Sequence, residues 1–176
     1  MASELLAVAG ADVQTVGFYL AIAGGAISVI LGGIGSAVGV GLAGREASGV
    51  LSEDPDKFGK LLLLVALPGT QGIYGFLGGF LLFQKLGLLG QADIVELSVR
   101  QGILLLLACL PVAFACLVSG IHQGKVCASG VAMTAKRPEA AVKPLIFGAM
   151  VETYAVLGLI TTILALNGIN ILKAAG

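Results

Sequence analysis

The sequence predicts an all-α membrane protein in which four transmembrane helices form two tandem helical hairpins. Hydrophobic residues make up 57% of its 176 residues and charged residues only 11%, a composition typical of integral membrane proteins. The charges divide the chain into four long apolar windows, and the second half of the chain repeats the first. The repeat predicts two hairpins with the same membrane orientation.

The four apolar windows are long enough to span a membrane. They occupy residues 13–44, 61–84, 101–124 and 144–172, of which only the last is interrupted by a charge, that of Glu152. A bilayer core about 30 Å thick requires roughly 20 helical residues, which each window supplies. We expect the first hairpin within residues 1–92 and the second within residues 93–176. The expected spans are 13–44, 57–88, 97–134 and 139–172.

The basic residues predict the orientation in the membrane. Seven of the ten Lys and Arg lie in or beside the loops after the first and third spans: Arg45, Lys57, Lys60, Lys125, Lys136, Arg137 and Lys143. By the positive-inside bias, these loops, at 45–57 and 134–138, face the cytoplasm and both termini face outward. The N-terminal segment has no basic region and contains Glu4 and Asp12, so we expect it to be retained in the mature chain.

An internal repeat relates the two hairpins. A shift of 83 aligns PDKFGKLLLLVALPGTQGIYGF (55–76) with PEAAVKPLIFGAMVETYAVLGL (138–159), and a shift of 87 aligns GIGSAVGV (33–40) with GIHQGKV (120–126). The first span thus resembles the third and the second resembles the fourth, as a duplicated two-span ancestor would give. In this alignment Glu152 lies opposite Gly69, so only the second hairpin carries an intramembrane carboxylate.

Glycine is abundant, with 27 residues in the chain, nine of which lie in the first span. In GGAISVILGGIGSAVGVGLAG (24–44) small residues recur every three or four positions, a spacing that lets helices pack backbone to backbone in lipid. We expect the first and third spans to form a tightly packed inner layer. The second and fourth spans, richer in Leu, Phe and Ile, are expected to form an outer layer that faces lipid.

Three cysteines, Cys109, Cys116 and Cys127, lie in the third span on one helical face. There is no CxxC motif, and the single His122 does not complete a metal site with cysteines spread over about 27 Å of helix. Packing as small apolar side chains is the simpler explanation.

Two glycine-rich motifs lack the context of a nucleotide-binding loop. GIGSAVG (33–39) lies inside an apolar window and not between a strand and a helix. GIHQGKV (120–126) lacks the four-residue spacer of a phosphate-binding loop and the Ser or Thr that follows its Lys. We therefore expect no ATP site in this chain. The net charge of zero also argues against a strongly basic nucleic-acid-binding protein.

The second span contains a polar stripe within LPGTQGIYGF (67–76). Its members share one helical face over two turns and are Leu67, Thr70, Gln71 and Tyr74. Pro68 lacks an N–H and loosens the helix here, which leaves carbonyl oxygens beside side-chain oxygens. Such a turn is suited to a cation, although ordinary interhelical hydrogen bonds would also explain this stripe by itself.

Glu152 lies about 13 Å along a helix from Lys143 and hence near the bilayer midplane. Gln123 in the third span, and Thr70 and Gln71 in the second, fall at a similar depth. An ionised carboxylate there costs about 2.5–3.5 kcal/mol or more, and the sequence places no Lys or Arg at that depth. A transported cation is the expected partner; a permanently protonated Glu152 is the alternative.

The surrounding oxygens favour sodium over a proton. A proton requires only a carboxyl group and one acceptor, whereas here a hydroxyl, two amide carbonyls and the main-chain carbonyl of Leu67 accompany Glu152. A hard, dehydrated ion prefers such an oxygen cage, and one carboxylate balances one positive charge. We expect Tyr74 to donate its hydroxyl to Glu152 and fix the carboxylate.

Three motifs together resemble one family. LPGTQGIYGF (67–76), SGIHQGKV (119–126) and MVETYAVLGL (150–159), in this order within two hairpins, are similar to the membrane proteolipid, named K or c, of V-type sodium-transporting ATPases. The resemblance implies that identical copies assemble into a membrane rotor ring turned by a separate ATP-hydrolysing head. This chain would then translocate ions without hydrolysing ATP itself.

The resemblance also implies a role for each residue of the site. Glu152 is the essential ion-carrying carboxylate, and Tyr74 is the gate that bonds it. The oxygen ligands for Na⁺ would come from Leu67, Thr70, Gln71, Gln123 and Glu152. The one departure near the site is His122, where a small residue is more usual.

Partners and location follow from the same resemblance. The ring would carry each sodium ion past a stator subunit whose arginine displaces it, and would contact central-stalk subunits through its cytoplasmic loops. The sodium interpretation favours a bacterial plasma membrane, although eukaryotic vacuolar relatives share the duplication.

Three alternatives remain open. The same rotor could carry protons. A small secondary transporter with a site between repeats would usually have more spans and inverted repeats. A purely structural tetraspan junction or channel protein would explain the glycine-rich packing but not Glu152.

Overall fold

The computed structural model describes residues 13–90 and 95–170, and within these ranges the regular structure is helical. The α-helices of these ranges are α1 (Val13–Glu53), α2 (Phe58–Ala66), α3 (Thr70–Lys85), α4 (Val99–Lys136) and α5 (Val142–Gly168). A 3₁₀ turn, Leu67–Gly69, joins α2 and α3 into one span. The expectations that concern Glu4, Asp12 and the end of the fourth span at 171–172 lie outside the described residues.

Four helical segments among the described residues are long and apolar enough to cross a membrane: Thr15–Glu53, Pro55–Lys85, Val99–Lys136 and Pro138–Gly168. The predicted all-α fold with four transmembrane helices is therefore confirmed. α1 packs along α3, and α4 packs along α5, so that each half of the chain is a helical hairpin.

The predicted loop at 45–57 is wrong, because α1 continues as a helix to Glu53. Arg45 ends the apolar window but not the helix, since Arg, Glu, Ala and Leu all support helical structure. Charges mark where a helix leaves hydrocarbon, and the helix itself stops only before Pro55. The connection is reduced to Asp54 and the 3₁₀ turn Pro55–Lys57.

The two hairpin turns have the same backbone geometry. Asp54 adopts φ −144° and ψ 88°, and Arg137 adopts φ −139° and ψ 82°. Each residue precedes a proline, which disfavours the helical conformation of the residue before it, and each proline begins a short 3₁₀ turn. Lys57 connects the two turns, because its Nζ pairs with Asp54 at 3.1 Å and donates to the Ala135 carbonyl at 3.0 Å.

The ends of the spans on the opposite side follow ordinary capping chemistry. α3 ends at Lys85 and is followed by Gly87, whose φ of 79° is readily adopted only by glycine. Ser98 and Gln101 form a capping box at the start of α4, in which the side chain of each accepts a hydrogen bond from the backbone N–H of the other. These caps set the outer limits of the second and third spans.

α1 and α4 pack backbone to backbone, as the glycine pattern predicts. A Cβ atom added at Gly120 would lie 2.6 Å from the carbonyl carbon of Gly35, and one added at Gly24 would lie 2.6 Å from the Cα atom of Leu106. Glycine is thus required for this approach. The opposite face of α1 is open in the single chain, since Cβ atoms at Gly33 and Gly41 would meet nothing within 4 Å.

A proline in α4 is accommodated by a hydroxyl from α5. Pro111 lies inside the helix, and the neighbouring Val112 N–H donates to Thr162 Oγ1 at 3.2 Å. Gly158 allows this approach, because a Cβ atom there would lie 2.6 Å from the Cβ atom of Ala115. This contact is one of those that hold α5 against α4.

Candidate cation-binding site

The polar residues singled out in the sequence meet where α3, α4 and α5 converge. The second span supplies Leu67, Thr70, Gln71 and Tyr74, α4 supplies Gln123, and α5 supplies Glu152. A continuous series of polar contacts connects all six residues. The first hairpin therefore contributes most of the neutral groups, and the second contributes the charge.

Glu152 is half-buried and held from two sides. Tyr74 donates its hydroxyl to Glu152 Oε1 at 2.7 Å, and Gln123 Nε2 donates to Oε2 at 3.4 Å. Within the part of the chain that the structure describes, Glu152 has no Lys or Arg partner, and the ion pair that does form lies at the hairpin turn, between Lys57 and Asp54. The carboxylate thus has hydrogen-bond donors but no compensating charge.

Two fully buried glutamines form the centre of the network. Gln71 Nε2 donates to Gln123 Oε1 at 2.5 Å, and Gln123 Nε2 also donates to the Gly148 carbonyl at 3.0 Å. A Cβ atom at Gly148 would lie 2.7 Å from the end of the Leu67 side chain, which would have to shift to make room for it. Both amide groups are consequently fixed in position, with no access to bulk water.

The 3₁₀ turn Leu67–Gly69 provides the main-chain part of the site. Thr70 N–H bonds to the Leu67 carbonyl, as a 3₁₀ turn requires. Thr70 Oγ1 also donates to that carbonyl at 3.0 Å and lies 3.4 Å from Gln71 Oε1. Three oxygens of different types therefore cluster within one turn, on the side that faces Gln123 and Glu152.

These atoms form a donor set suited to a small hard cation. The set comprises the Leu67 carbonyl, Thr70 Oγ1, Gln71 Oε1, Gln123 Oε1 and the Glu152 carboxylate. All are oxygen ligands, which alkali and alkaline-earth ions prefer, and together they carry a single negative charge. A bound monovalent cation would neutralise this charge.

One structural neighbour was missed in the sequence. Ser36 of α1 is buried, and its Oγ contacts the main chain of the turn, at Pro68 and Gly72. The only signal for it is the internal repeat, in which Ser36 lies opposite Gln123. A serine among glycines in a tightly packed helix is otherwise indistinguishable from a small packing residue.

His122, which adjoins Gln123 in sequence, takes no part in the network. It is exposed and lines a groove of about 420 Å³ between α4 and α5, together with Val151 and Tyr154. The three cysteines are buried, and their thiols are free. Cys116 and Cys127 pack in apolar clusters above and below the network.

The chain belongs to the ATP synthase C-subunit family. The family model matches residues 23–82 and again residues 106–165, so the chain carries two copies of the family's unit. The shift between the two matches is the same 83 residues that aligns the second span with the fourth. With this family and the four apolar helices, the chain is an integral membrane protein.

Comparison with three curated relatives indicates which members of the family this chain resembles. The chain is 49% identical over 155 residues to V-type sodium ATPase subunit K of Enterococcus hirae, covering 88% of this chain and 95% of the relative. It is 31% identical over 150 residues to A-type ATP synthase subunit K of Methanocaldococcus jannaschii, covering 85% and 63%. It is 31% identical over 148 residues to the c′ subunit of the V-type proton ATPase of Eremothecium gossypii, covering 84% and 85%. The resemblance to the sodium V-type proteolipid is thus confirmed.

Proposed function

We propose that this chain is the ion-carrying proteolipid of a V-type ATPase rotor, and that it carries Na⁺ across the membrane on Glu152. Its family membership and its 49% identity to a sodium ATPase subunit K support the rotor role. Copies of the chain would form a closed ring, and other subunits would hydrolyse ATP. Each copy would contribute two hairpins to that ring, one within residues 1–92 and one within residues 93–176.

The observation that carries the sodium proposal is the donor pattern at Glu152. Both carboxyl oxygens of Glu152 accept hydrogen bonds, one from Tyr74 and one from Gln123, an arrangement that suits the ionised form. An anion in this position requires a cation, and neutral oxygens stand beside it to replace the water of a metal ion. A proton carrier requires only the carboxyl group and one acceptor, so this cage favours Na⁺.

Transport then follows from charge neutralisation. With Na⁺ bound, Glu152 and its ion form a neutral pair that can pass lipid as the ring turns. Without it, the carboxylate is an exposed anion, and its movement through hydrocarbon is blocked except opposite a fixed positive charge, which an arginine of the stator would supply. Each ion moved against the membrane potential costs about 2.3 kcal/mol per 100 mV.

The orientation and the other partners are part of the same proposal. The hairpin turns at Asp54 and Arg137 would face the cytoplasm, where central-stalk subunits would contact them. Basic residues near both turns support this orientation. A bacterial plasma membrane is the expected location, since the Enterococcus hirae relative is named as a sodium ATPase subunit.

Protection of Glu152 against a hydrophobic carbodiimide tests the proposal. Membranes containing the assembled complex are treated with the reagent at constant pH over a range of Na⁺ concentrations, and modified Glu152 is quantified by mass spectrometry. We expect Na⁺ to protect Glu152 in a saturable way and K⁺ to protect it far less. Detergent extraction should yield a closed ring of identical copies.

Proton transport by the same rotor is the second candidate, favoured by the 31% identity to the c′ subunit of a V-type proton ATPase. It predicts that carbodiimide labelling depends on pH and is indifferent to Na⁺. That result would overturn the sodium proposal and leave the rotor role standing.

A further inference from the structure

Ser36 occupies an unusual position beside the second span. Its Oγ donates to the Pro68 carbonyl at 2.7 Å and accepts the Gly72 N–H at 2.7 Å. In an uninterrupted α-helix the Gly72 N–H would donate to the Pro68 carbonyl directly. A hydroxyl from α1 therefore bridges one step of the hydrogen-bond ladder in a neighbouring helix.

The bridged step encloses part of the candidate cation site. Ser36 contacts the Pro68 carbonyl and the Gly72 N–H, and Thr70 and Gln71 lie between these two groups in the chain. The Leu67 carbonyl immediately precedes Pro68. Side-chain insertion of this kind is a recognised cause of local distortion in a helix. Here the distortion is the 3₁₀ turn Leu67–Gly69, which directs the Leu67 carbonyl towards the Thr70 hydroxyl.

We propose that Ser36 is a positioning residue for ion binding, which holds residues 67–72 in the shape that presents three of the five ligand residues. This inference rests on the proposed function of the site. Ser36 itself would not touch the ion, because its hydroxyl is already committed to two main-chain partners. Removing it would let the turn relax and would weaken ion binding without removing any ligand.

The packing around Ser36 favours its contacts with Pro68 and Gly72. Ser36 is only 9% exposed, so water does not replace its hydroxyl readily. A Cβ atom added at Gly72 would lie 3.1 Å from Ser36 Oγ and 3.2 Å from its Cβ atom, so glycine lets the two helices approach closely enough for the bridge. The internal repeat places Ser36 opposite Gln123, and hence both hairpins use this position to organise the same site.

Ser28 provides a matched control on the same helix. It is also buried on α1, and its Oγ donates to a main-chain carbonyl of the second span, that of Gly75, at 2.7 Å. Its partner lies beyond the segment 67–72. Ser28→Ala therefore removes a comparable hydroxyl from the same interface without releasing the turn at Pro68.

The test measures the Na⁺ concentration that half-protects Glu152 from a hydrophobic carbodiimide, at constant pH, in membranes containing the assembled complex. We expect Ser36→Ala to raise this concentration about tenfold, as loss of a bridging buried hydroxyl should, and Ser28→Ala to change it less than about twofold. Thermal dissociation of the ring should be affected similarly by both variants. If Ser36 had only a general packing role, Ser36→Ala would change the thermal dissociation of the ring but not the half-protection concentration of Na⁺.

Two results would overturn the inference: no shift in Ser36→Ala, or equal shifts in Ser36→Ala and Ser28→Ala. If Ser36→Ala does not assemble, Ser36→Cys keeps a side chain of similar shape with a weaker donor and acceptor, and its half-protection concentration must also rise. An unchanged value in Ser36→Cys is then the contradicting outcome. Absence of Na⁺ protection in the wild type would instead overturn the sodium proposal, and this inference with it.

Discussion

At the depth of Glu152 the first hairpin carries Gly69, and opposite Gln123 it carries Ser36. The two hairpins share their turns, since both bend at a residue before proline with nearly equal backbone angles. Their polar chemistry differs. Among the described residues, Ser36 bonds to main-chain groups of its own hairpin, whereas Gln123 bonds to Glu152 of its own hairpin and to Gln71 of the other. Duplication thus supplied two similar scaffolds, of which the second carries Glu152 and the first carries most of the neutral groups of the candidate site.

This division places the site between the hairpins. Leu67, Thr70, Gln71 and Tyr74 come from the first hairpin, and Gln123 and Glu152 come from the second. Neither hairpin contains a complete site. One carboxylate for every four helices also halves the number of ions carried per turn relative to a ring with a carboxylate in each hairpin. We hypothesise that this ratio suits ATP-driven pumping better than ATP synthesis.

The strongest test of this difference between the hairpins removes the one charge of the candidate site, that of Glu152. Glu152→Gln keeps the shape of the side chain but cannot balance a cation, so we expect Na⁺-dependent ATP hydrolysis and Na⁺ transport by the reconstituted complex to fall to background. Glu96→Gln, at an exposed position before α4 and away from the hairpin turns, is the matched control and should remain active. Substantial Na⁺ transport by Glu152→Gln would contradict the proposed function.

Adding a carboxylate to the first hairpin tests whether the helical framework of a hairpin and one carboxylate are sufficient to bind Na⁺. A Cβ atom at Gly69 would have its nearest neighbour, the Val40 side chain, at 3.8 Å, so Gly69→Ala should assemble normally. Gly69→Glu should lower ring stability, because a second mid-membrane carboxylate costs about 2.5–3.5 kcal/mol and finds no amide like that of Gln123. Equilibrium ²²Na⁺ binding should remain at one ion per chain. Two ions per chain would show that the hairpins are more alike than their polar contacts indicate.

Removing the amide that joins the hairpins should have the next largest effect. Gln123→Ala leaves Gln71 without its buried partner and removes a contact to Glu152. An unsatisfied buried polar group costs about 1–3 kcal/mol, which corresponds to roughly fivefold to 150-fold weaker Na⁺ binding if the loss falls on the bound state. Thr134→Ala, another buried polar position on α4, is the control and should bind Na⁺ normally. Equal effects of the two variants would mean that Gln123 serves packing alone.

Helical periodicity and depth were sufficient to predict which polar residues meet. Thr70, Gln71 and Tyr74 share a face because they are three, four and seven residues from Leu67. Gln123 and Glu152 meet because they lie at nearly equal distances from the hairpin turn at Arg137. Both rules depend only on helix geometry, which the sequence specifies well. Whether each of these residues binds an ion stays a prediction.

Two features of the structure could not be predicted from the sequence, each for a physical reason. The length of α1 was underestimated because charge marks the membrane boundary, whereas a helix ends where its backbone is interrupted, here before Pro55. The contact of Ser36 with Pro68 and Gly72 depends on how closely two helices approach, which is fixed by packing between distant segments. No local sequence pattern around Ser36 indicates how closely the two helices approach.

The mildest prediction concerns the hydrogen bond that closes the site across the two hairpins. Tyr74→Phe removes only the hydroxyl that donates to Glu152 at 2.7 Å and keeps the ring in place. One such bond contributes about 0.5–1.5 kcal/mol, so Na⁺ binding should weaken by roughly twofold to tenfold, with faster exchange of ²²Na⁺. Tyr154→Phe, an exposed tyrosine on α5, is the control and should leave exchange unchanged. Because all oxygen ligands remain in Tyr74→Phe, a complete loss of binding would mean that the tyrosine hydroxyl is itself a ligand rather than a gate.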